Sequence, residues 1–185
     1  MKKSSGSYHF SGLLIVTILC GLVYATVQQS HRSSANDPQI QIALDLKYAI
    51  ENNRSTSSLM TPDSIEISQS LSVFKVIYDK SGRPIESTGF LSGQMPKMPK
   101  GVLEYTNSHQ EDVLTWQPQR GIRMATVVEA INSPQIGFVA VGRSLDEVEK
   151  RVSNLTTMVA VAWLVCAGII ILHFLVSYFS YNKSN

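Results

Sequence analysis

The sequence predicts an α+β chain: an antiparallel five-stranded sheet with flanking helices, carried between two transmembrane helices. The first observation is the placement of charge along the 185 residues. Residues 4–31 and 152–182 contain no Asp, Glu, Lys or Arg, and all 14 acidic residues lie between these two segments. The second observation is that the polar section between them carries runs of β-branched and aromatic residues separated by turn residues, the pattern of short strands. The net charge of +2 gives no reason to expect a nucleic-acid partner.

The N-terminal apolar segment predicts the first transmembrane helix. Residues 10–27 (FSGLLIVTILCGLVYATV) would extend about 27 Å as a helix, and with its flank we place the span at 10–29, after a cytoplasmic N-terminus at 1–9. The alternative is a cleaved signal peptide, because Lys2 and Lys3 form a basic start and Ala25 ends a small-residue cleavage site. The same two lysines favour an N-terminus inside the cell.

The domain between the spans, at 30–151, is predicted to begin with a helix. Asn36 or Asp37 caps it, and apolar residues recur at helical spacing as far as Ile50. Strands and a short helix follow, the latter ending near Tyr105. The strands are predicted at 73–78, 83–89, 112–117, 121–130 and 135–142.

The last helix is predicted to run from the outer domain into the membrane. Ser144 and Glu147 match a capping box, and no proline interrupts the chain from there to Tyr178. Within it, 157–179 is a stretch of 23 residues without a charge, about 34 Å long as a helix, against a hydrocarbon core of about 30 Å. We place the second span at 152–180 and a cytoplasmic tail at 181–185. A displacement of the outer domain could therefore be transmitted through this helix to the cytoplasmic side.

The residues offer no recognisable catalytic chemistry. Both cysteines, Cys20 and Cys166, lie in the apolar segments, and the two histidines of the middle section, His31 and His109, stand far apart in polar stretches. No metal-ligand spacing, phosphate-binding loop or nucleophile motif occurs. We expect no enzyme, no metal and no cofactor.

A small-molecule pocket is the one binding site that the sequence suggests. Four aromatic or cationic residues lie on or beside the predicted sheet and could line a space between sheet and helices: Tyr78, Tyr105, Trp116 and Arg123. The alternative interpretation is a filled core with an arginine on an exposed face.

The order of the elements resembles the extracytoplasmic sensor region of bacterial membrane histidine kinases. The resemblance rests on SQSLSVFKVIYDKSGRPIESTG (68–89), PKGVLEYT (99–106), LTWQPQRGIRMATVV (114–128) and GFVAVGRSLDEVEKR (137–151). It implies a PAS-like or Cache-like fold for the outer domain. A kinase would continue with a phosphoacceptor histidine and an ATP-binding domain, but this sequence ends soon after the second span.

These observations lead to one expected function and two alternatives. We expect a multi-pass protein of the bacterial inner membrane whose outer domain senses or interacts and signals to a partner membrane or signalling protein. The expected partners include the lipid bilayer, a homodimer mate and a small-molecule ligand, and exclude nucleic acid. The alternatives are a scaffold or assembly subunit of a membrane complex, and a truncated remnant of a sensor kinase.

Overall fold

The computed structural model describes residues 4–34, 37–54, 56, 59, 60 and 64–183. The chain divides into two compact units: residues 32–148 form one, and the segments on either side of them form the other. The predicted α+β class is confirmed, with a five-stranded antiparallel sheet and two apolar helices.

The elements follow in this order along the described chain. The helices are α1 (Ser4–Ser34), α2 (Asp37–Glu51), α3 (Lys100–His109) and α4 (Asp146–Lys183). The strands are β1 (Ile65–Glu66), β2 (Phe74–Asp79), β3 (Pro84–Ser87), β4 (Gly89–Phe90), β5 (Glu111–Gln119), β6 (Ile122–Ala130) and β7 (Ile136–Ser144). The predicted cap at Asn36 lies outside the described residues.

The five-stranded sheet has the order β3-β2-β7-β6-β5, and every neighbouring pair is antiparallel. All five predicted strands take part in it. The run at 83–89 differs in detail, because β3 ends at Ser87 and the following β4 pairs in parallel with β1. The predicted short helix also continues four residues past Tyr105, to His109.

Two apolar layers hold the domain together, one on each face of the sheet. Helix α2 packs on the first face, where its buried Ala43 and Leu46 belong to one cluster with Val139 and Val141 of β7. The second face carries α3 and the loop before it, in a cluster that includes Leu103, Met98, Phe74, Tyr78 and Trp116. Because both faces are covered, the central strand β7 is buried at almost every position.

Helices α1 and α4 form an antiparallel pair in the other unit. The indole nitrogen of Trp163 donates a hydrogen bond of 2.9 Å to the hydroxyl of Thr17. Nearer the start of α1, the ring of His9 lies 5.2 Å from that of His173. Residue numbers therefore increase along α1 in the direction in which they decrease along α4.

The two helices are long and apolar enough to cross a membrane. The qualifying segments are Tyr8–Ser30, with 23 residues, and Asp146–Ser180, with 35. The large apolar side chains on their outer sides are exposed, with Met158 at 70% and Ile169 at 63%. This exposed surface is far more apolar than the surface of the sheet domain.

Candidate functional site

Tyr78 and Trp116, two of the four predicted site residues, lie in the hydrophobic core. Tyr78 is fully buried, and its hydroxyl donates a hydrogen bond of 2.9 Å to the carbonyl oxygen of Pro96. Burial raises the pKa of the Tyr78 hydroxyl, so this group stays protonated and remains a donor. Trp116 is 6% exposed and packs near the ring of Phe74.

Tyr105 and Arg123, the other two, lie on the surface. Tyr105 is 50% exposed, and its ring stacks on that of His109, one turn later on α3, at 4.0 Å. Arg123 is exposed at the start of β6. The structure thus divides the four residues between core and surface, as the filled-core alternative describes for Tyr78, Trp116 and Arg123. A common binding role for the four stays a prediction.

A polar cleft lies elsewhere in the domain, at the end of the sheet where β2 stops and β7 starts. It consists of two adjoining cavities of about 480 and about 330 Å3, within the size range of small-molecule sites. Lys80, Asn107 and Phe138 line both cavities. We call this region the Lys80 cleft. The first cavity is completed by Gln110, Ala130, Ile131, Asn132 and Gly137, and the second by Ser81, Gly82, Lys100, Leu103 and Glu104.

The turn after β2 forms one wall of the cleft, and Asp79 holds it in shape. Its carboxylate accepts hydrogen bonds from the hydroxyl of Ser81 at 2.6 Å and from the backbone N–H of Arg83 at 2.9 Å. These bonds, that from Ser81 foremost, lower the pKa of the Asp79 carboxyl. Gly82 completes the turn with a φ of +80°, which a side chain would disfavour.

The floor of the cleft depends on a close approach of two backbones. A Cβ on Gly137 would stand 2.7 Å from the Cα of Lys80 and 2.8 Å from the carbonyl oxygen of Asp79. Real side chains do not tolerate such distances, so β7 can begin beside this turn only with glycine. The register between β2 and β7 shifts at the same point, between Tyr78 and Asp79.

The opposite wall contains a residue in an unusual backbone conformation. Gln110 has a φ of 72°, in the left-handed region that costs a non-glycine residue about 1 kcal/mol. Its N–H donates to the carbonyl of Thr106 and ends α3, and its carbonyl accepts from Ala130 and starts the pairing of β5 with β6. These two bonds hold the chain so that Gln110 and Asn107 line the same cavity.

The side chains that line the Lys80 cleft are mostly charged or polar. Two ammonium groups, of Lys80 and Lys100, lie along it with the carboxylate of Glu104, and three amide side chains add donors and acceptors. Among the described residues, no three His, Cys, Asp or Glu side chains could hold a metal ion. The arrangement can bind a polar molecule, with Phe138 as an apolar contact.

Sequence reasoning missed these residues because they come from three distant parts of the chain. Lys80 lies in a turn, Asn107 and Gln110 at a helix end, and Asn132 in the loop before β7. The sequence around each of these residues is typical of a turn or a helix end. The three parts of the chain come together only through the strand order. No protein-family model and no curated protein matches this sequence. Its function is therefore inferred from the sequence and the structure.

Proposed function

We propose that the chain is a two-span protein of the bacterial inner membrane whose sheet domain lies outside the cytoplasm and acts as a sensor. In this proposal the domain binds a small molecule or a protein and signals to a partner membrane or signalling protein. The chain itself contributes no catalysis. The exposed apolar surfaces of α1 and α4 support the membrane placement, because water would disfavour them and lipid would not.

The strand order supports a PAS-like or Cache-like domain. Counted within the sheet alone, β2, β3, β5, β6 and β7 are strands one to five, and their spatial order is 2-1-5-4-3. This is the order expected of the fold that the sequence resembles. Helices on both faces and a cleft beside the first and last of these strands fit the same fold.

The observation that carries the sensing proposal is the path of β7. Its second and third residues, Gly137 and Phe138, line the Lys80 cleft. Its last residue, Ser144, accepts a hydrogen bond of 3.2 Å from the N–H of Asp146, where α4 begins. One strand of nine residues, about 30 Å long, therefore links the cleft to a helix that continues through the apolar segment. A ligand that favours one position of the strand's start would bias the start of α4.

The membrane placement is tested with single cysteines in the full chain, after Cys20 and Cys166 are changed to alanine. Ile85→Cys puts a thiol on the exposed strand β3, and Ser180→Cys puts one near the end of α4. A membrane-impermeant maleimide should label Ile85→Cys in protoplasts and Ser180→Cys only after lysis. The reverse pattern, or a chain that stays soluble without detergent, would refute the proposal.

Sensing is tested with the full chain in detergent micelles. Its melting temperature is followed by tryptophan fluorescence in a Trp163→Phe background, in which Trp116 reports on the sheet domain. A panel of carboxylates, amino acids, sugars and phosphates is added, and a rise in melting temperature that Lys80→Ala abolishes supports binding in the cleft. If no compound raises it, and crosslinking in membranes captures no stoichiometric partner, sensing is refuted. A partner without a ligand would instead favour the scaffold alternative.

A further inference from the structure

Strand β5 forms one edge of the five-stranded sheet and runs for nine residues, from Glu111 to Gln119. It pairs with β6 on one side, and no strand in the described part of the chain lies on its other side. An edge of this length presents a row of N–H and C=O groups that can pair with another strand.

The hydrogen bonds beside β5 show which of its residues face outward. The carbonyl of Gln110 accepts a bond of 2.8 Å from the N–H of Ala130. Since bonding alternates along an antiparallel pair, Asp112, Leu114 and Trp116 bond to β6, and the odd-numbered residues turn their backbone groups outward. An independent bond agrees, because Arg123 of β6 bonds to Leu145 beyond β7, which leaves the even-numbered residues of β6 for β5.

The residues whose backbone groups point away from β6 also have exposed side chains. Val113, Thr115 and Gln117 are exposed, Val113 by 42%, whereas Trp116 is buried in the core. Soluble edge strands are usually protected by lysine, by proline or by a bulge. Here the sequence EDVLTWQPQ has no lysine, and its one proline, Pro118, lies at an even position beside the register shift at the strand's end. The centre of the edge is therefore unprotected.

We propose that β5 pairs with β5 of a second copy of this chain, antiparallel and with the two-fold axis at Thr115, to form a continuous ten-stranded sheet. The distribution of charge along β5 favours a second copy of this chain as the partner. Glu111 and Asp112 begin the strand and Arg120 follows its end, with no charge between. Antiparallel pairing brings the acidic start of one copy beside the basic end of the other at both ends of the interface. The inference does not depend on the proposed sensing function.

Disulfide formation at the two-fold axis tests the pairing. In the full chain lacking Cys20 and Cys166, Thr115→Cys would face its own copy as a hydrogen-bonded pair with Cα atoms about 5.5 Å apart, within the range that a disulfide spans. Mild oxidation in membranes should give a covalent dimer. The matched control, Ile85→Cys, is also exposed, on β3 at the other edge of the sheet, and should stay monomeric. Equal dimer in both variants, or none with Thr115→Cys, would overturn the proposal.

A second experiment breaks the interface without touching the monomer. Thr115→Lys places two like charges directly opposite each other at the two-fold axis, and we expect it to weaken the dimer by about tenfold or more, measured by energy transfer between labelled chains in nanodiscs. Ile85→Lys is the control and should have no effect. Arg120→Glu should weaken the dimer, and Asp112→Arg added to it should restore it. A dimer insensitive to these changes lies on another surface, and a chain that is monomeric throughout forms none; either result rejects the pairing. Circular dichroism verifies that every variant is folded.

Discussion

A buried ion pair between α2 and the sheet gives the sharpest test of how the domain is held together. Lys47 lies on the second turn from the end of α2, and Glu129 lies near the end of β6. The ammonium of Lys47 is 3.0 Å from a carboxylate oxygen of Glu129. The two side chains differ in exposure, 23% for Lys47 and 4% for Glu129. Removing one partner should therefore have a different effect from removing the other.

The expected loss of unfolding free energy depends on which charge each substitution leaves without a partner. Lys47→Met leaves a carboxylate in the core without its counter-charge, directly opposite Glu111 in the register with β5, and should cost about 3–5 kcal/mol of unfolding free energy. Glu129→Gln leaves a lysine that can turn toward water, and should cost about 1–2 kcal/mol. The double change Lys47→Met with Glu129→Leu removes both charges and should fall within about 1 kcal/mol of the parent chain.

The assay is urea unfolding of the full chain in micelles, with Trp163→Phe in every variant so that Trp116 alone reports. The free energy is taken from the linear dependence on urea, and an unchanged slope verifies that the unfolding transition is the same. If Glu129→Gln costs as much as Lys47→Met, or if the double change costs the sum of the two, the carboxylate is not buried and paired as described.

Four further predictions use the full chain in micelles, and the Trp163→Phe background applies to all of them except the double-mutant cycle, which starts from the chain with Trp163. Gly137→Ala should cost about 2–3 kcal/mol, because its Cβ would meet backbone atoms at under 3 Å, and urea unfolding measures this. Because its hydrogen bonds lower the pKa of the Asp79 carboxyl, its contribution to stability is complete above about pH 4 and decreases as the pH falls toward the lowered pKa, so Asp79→Asn should reduce the fall of the melting temperature between pH 5 and pH 2. A double-mutant cycle of Thr17→Val and Trp163→Phe should give a coupling of about 0.5–1.5 kcal/mol in SDS unfolding, and zero coupling would contradict their hydrogen bond. Gln39→Leu should stabilise the chain by about 1 kcal/mol or leave it unchanged, whereas a loss above about 2 kcal/mol would mean that the amide has a partner.

The sequence was informative wherever a local pattern sufficed. The strand runs, the helical spacing in α2 and the unbroken helix from Asp146 all match, because periodicity and the absence of proline act over neighbouring residues. The site was less predictable. Trp116 alternates with polar residues in its strand, whereas Tyr78 ends the apolar run that begins at Val76, and neither pattern shows whether the side that the ring faces is filled or open. The Lys80 cleft depends on the strand order, a property of distant pairings that no local pattern encodes.

Under the proposed sensing function, the layer between α2 and the sheet is the part of the domain that converts binding into movement. Helix α2 follows α1 in the chain, and β7, against which α2 packs, leads into α4. Its contacts are mostly aliphatic, so a small sliding movement of α2 over the sheet breaks few hydrogen bonds. The polar contacts described across it are the Lys47–Glu129 pair and the bond from the N–H of Asn132 to Glu51. Gln39, fully buried on α2, has no hydrogen-bond partner for its amide among the described residues, at a cost of about 1–3 kcal/mol. Under the proposed sensing function, a shifted position of α2 that gave this amide a partner would recover that cost, and two such positions are what a sensor needs.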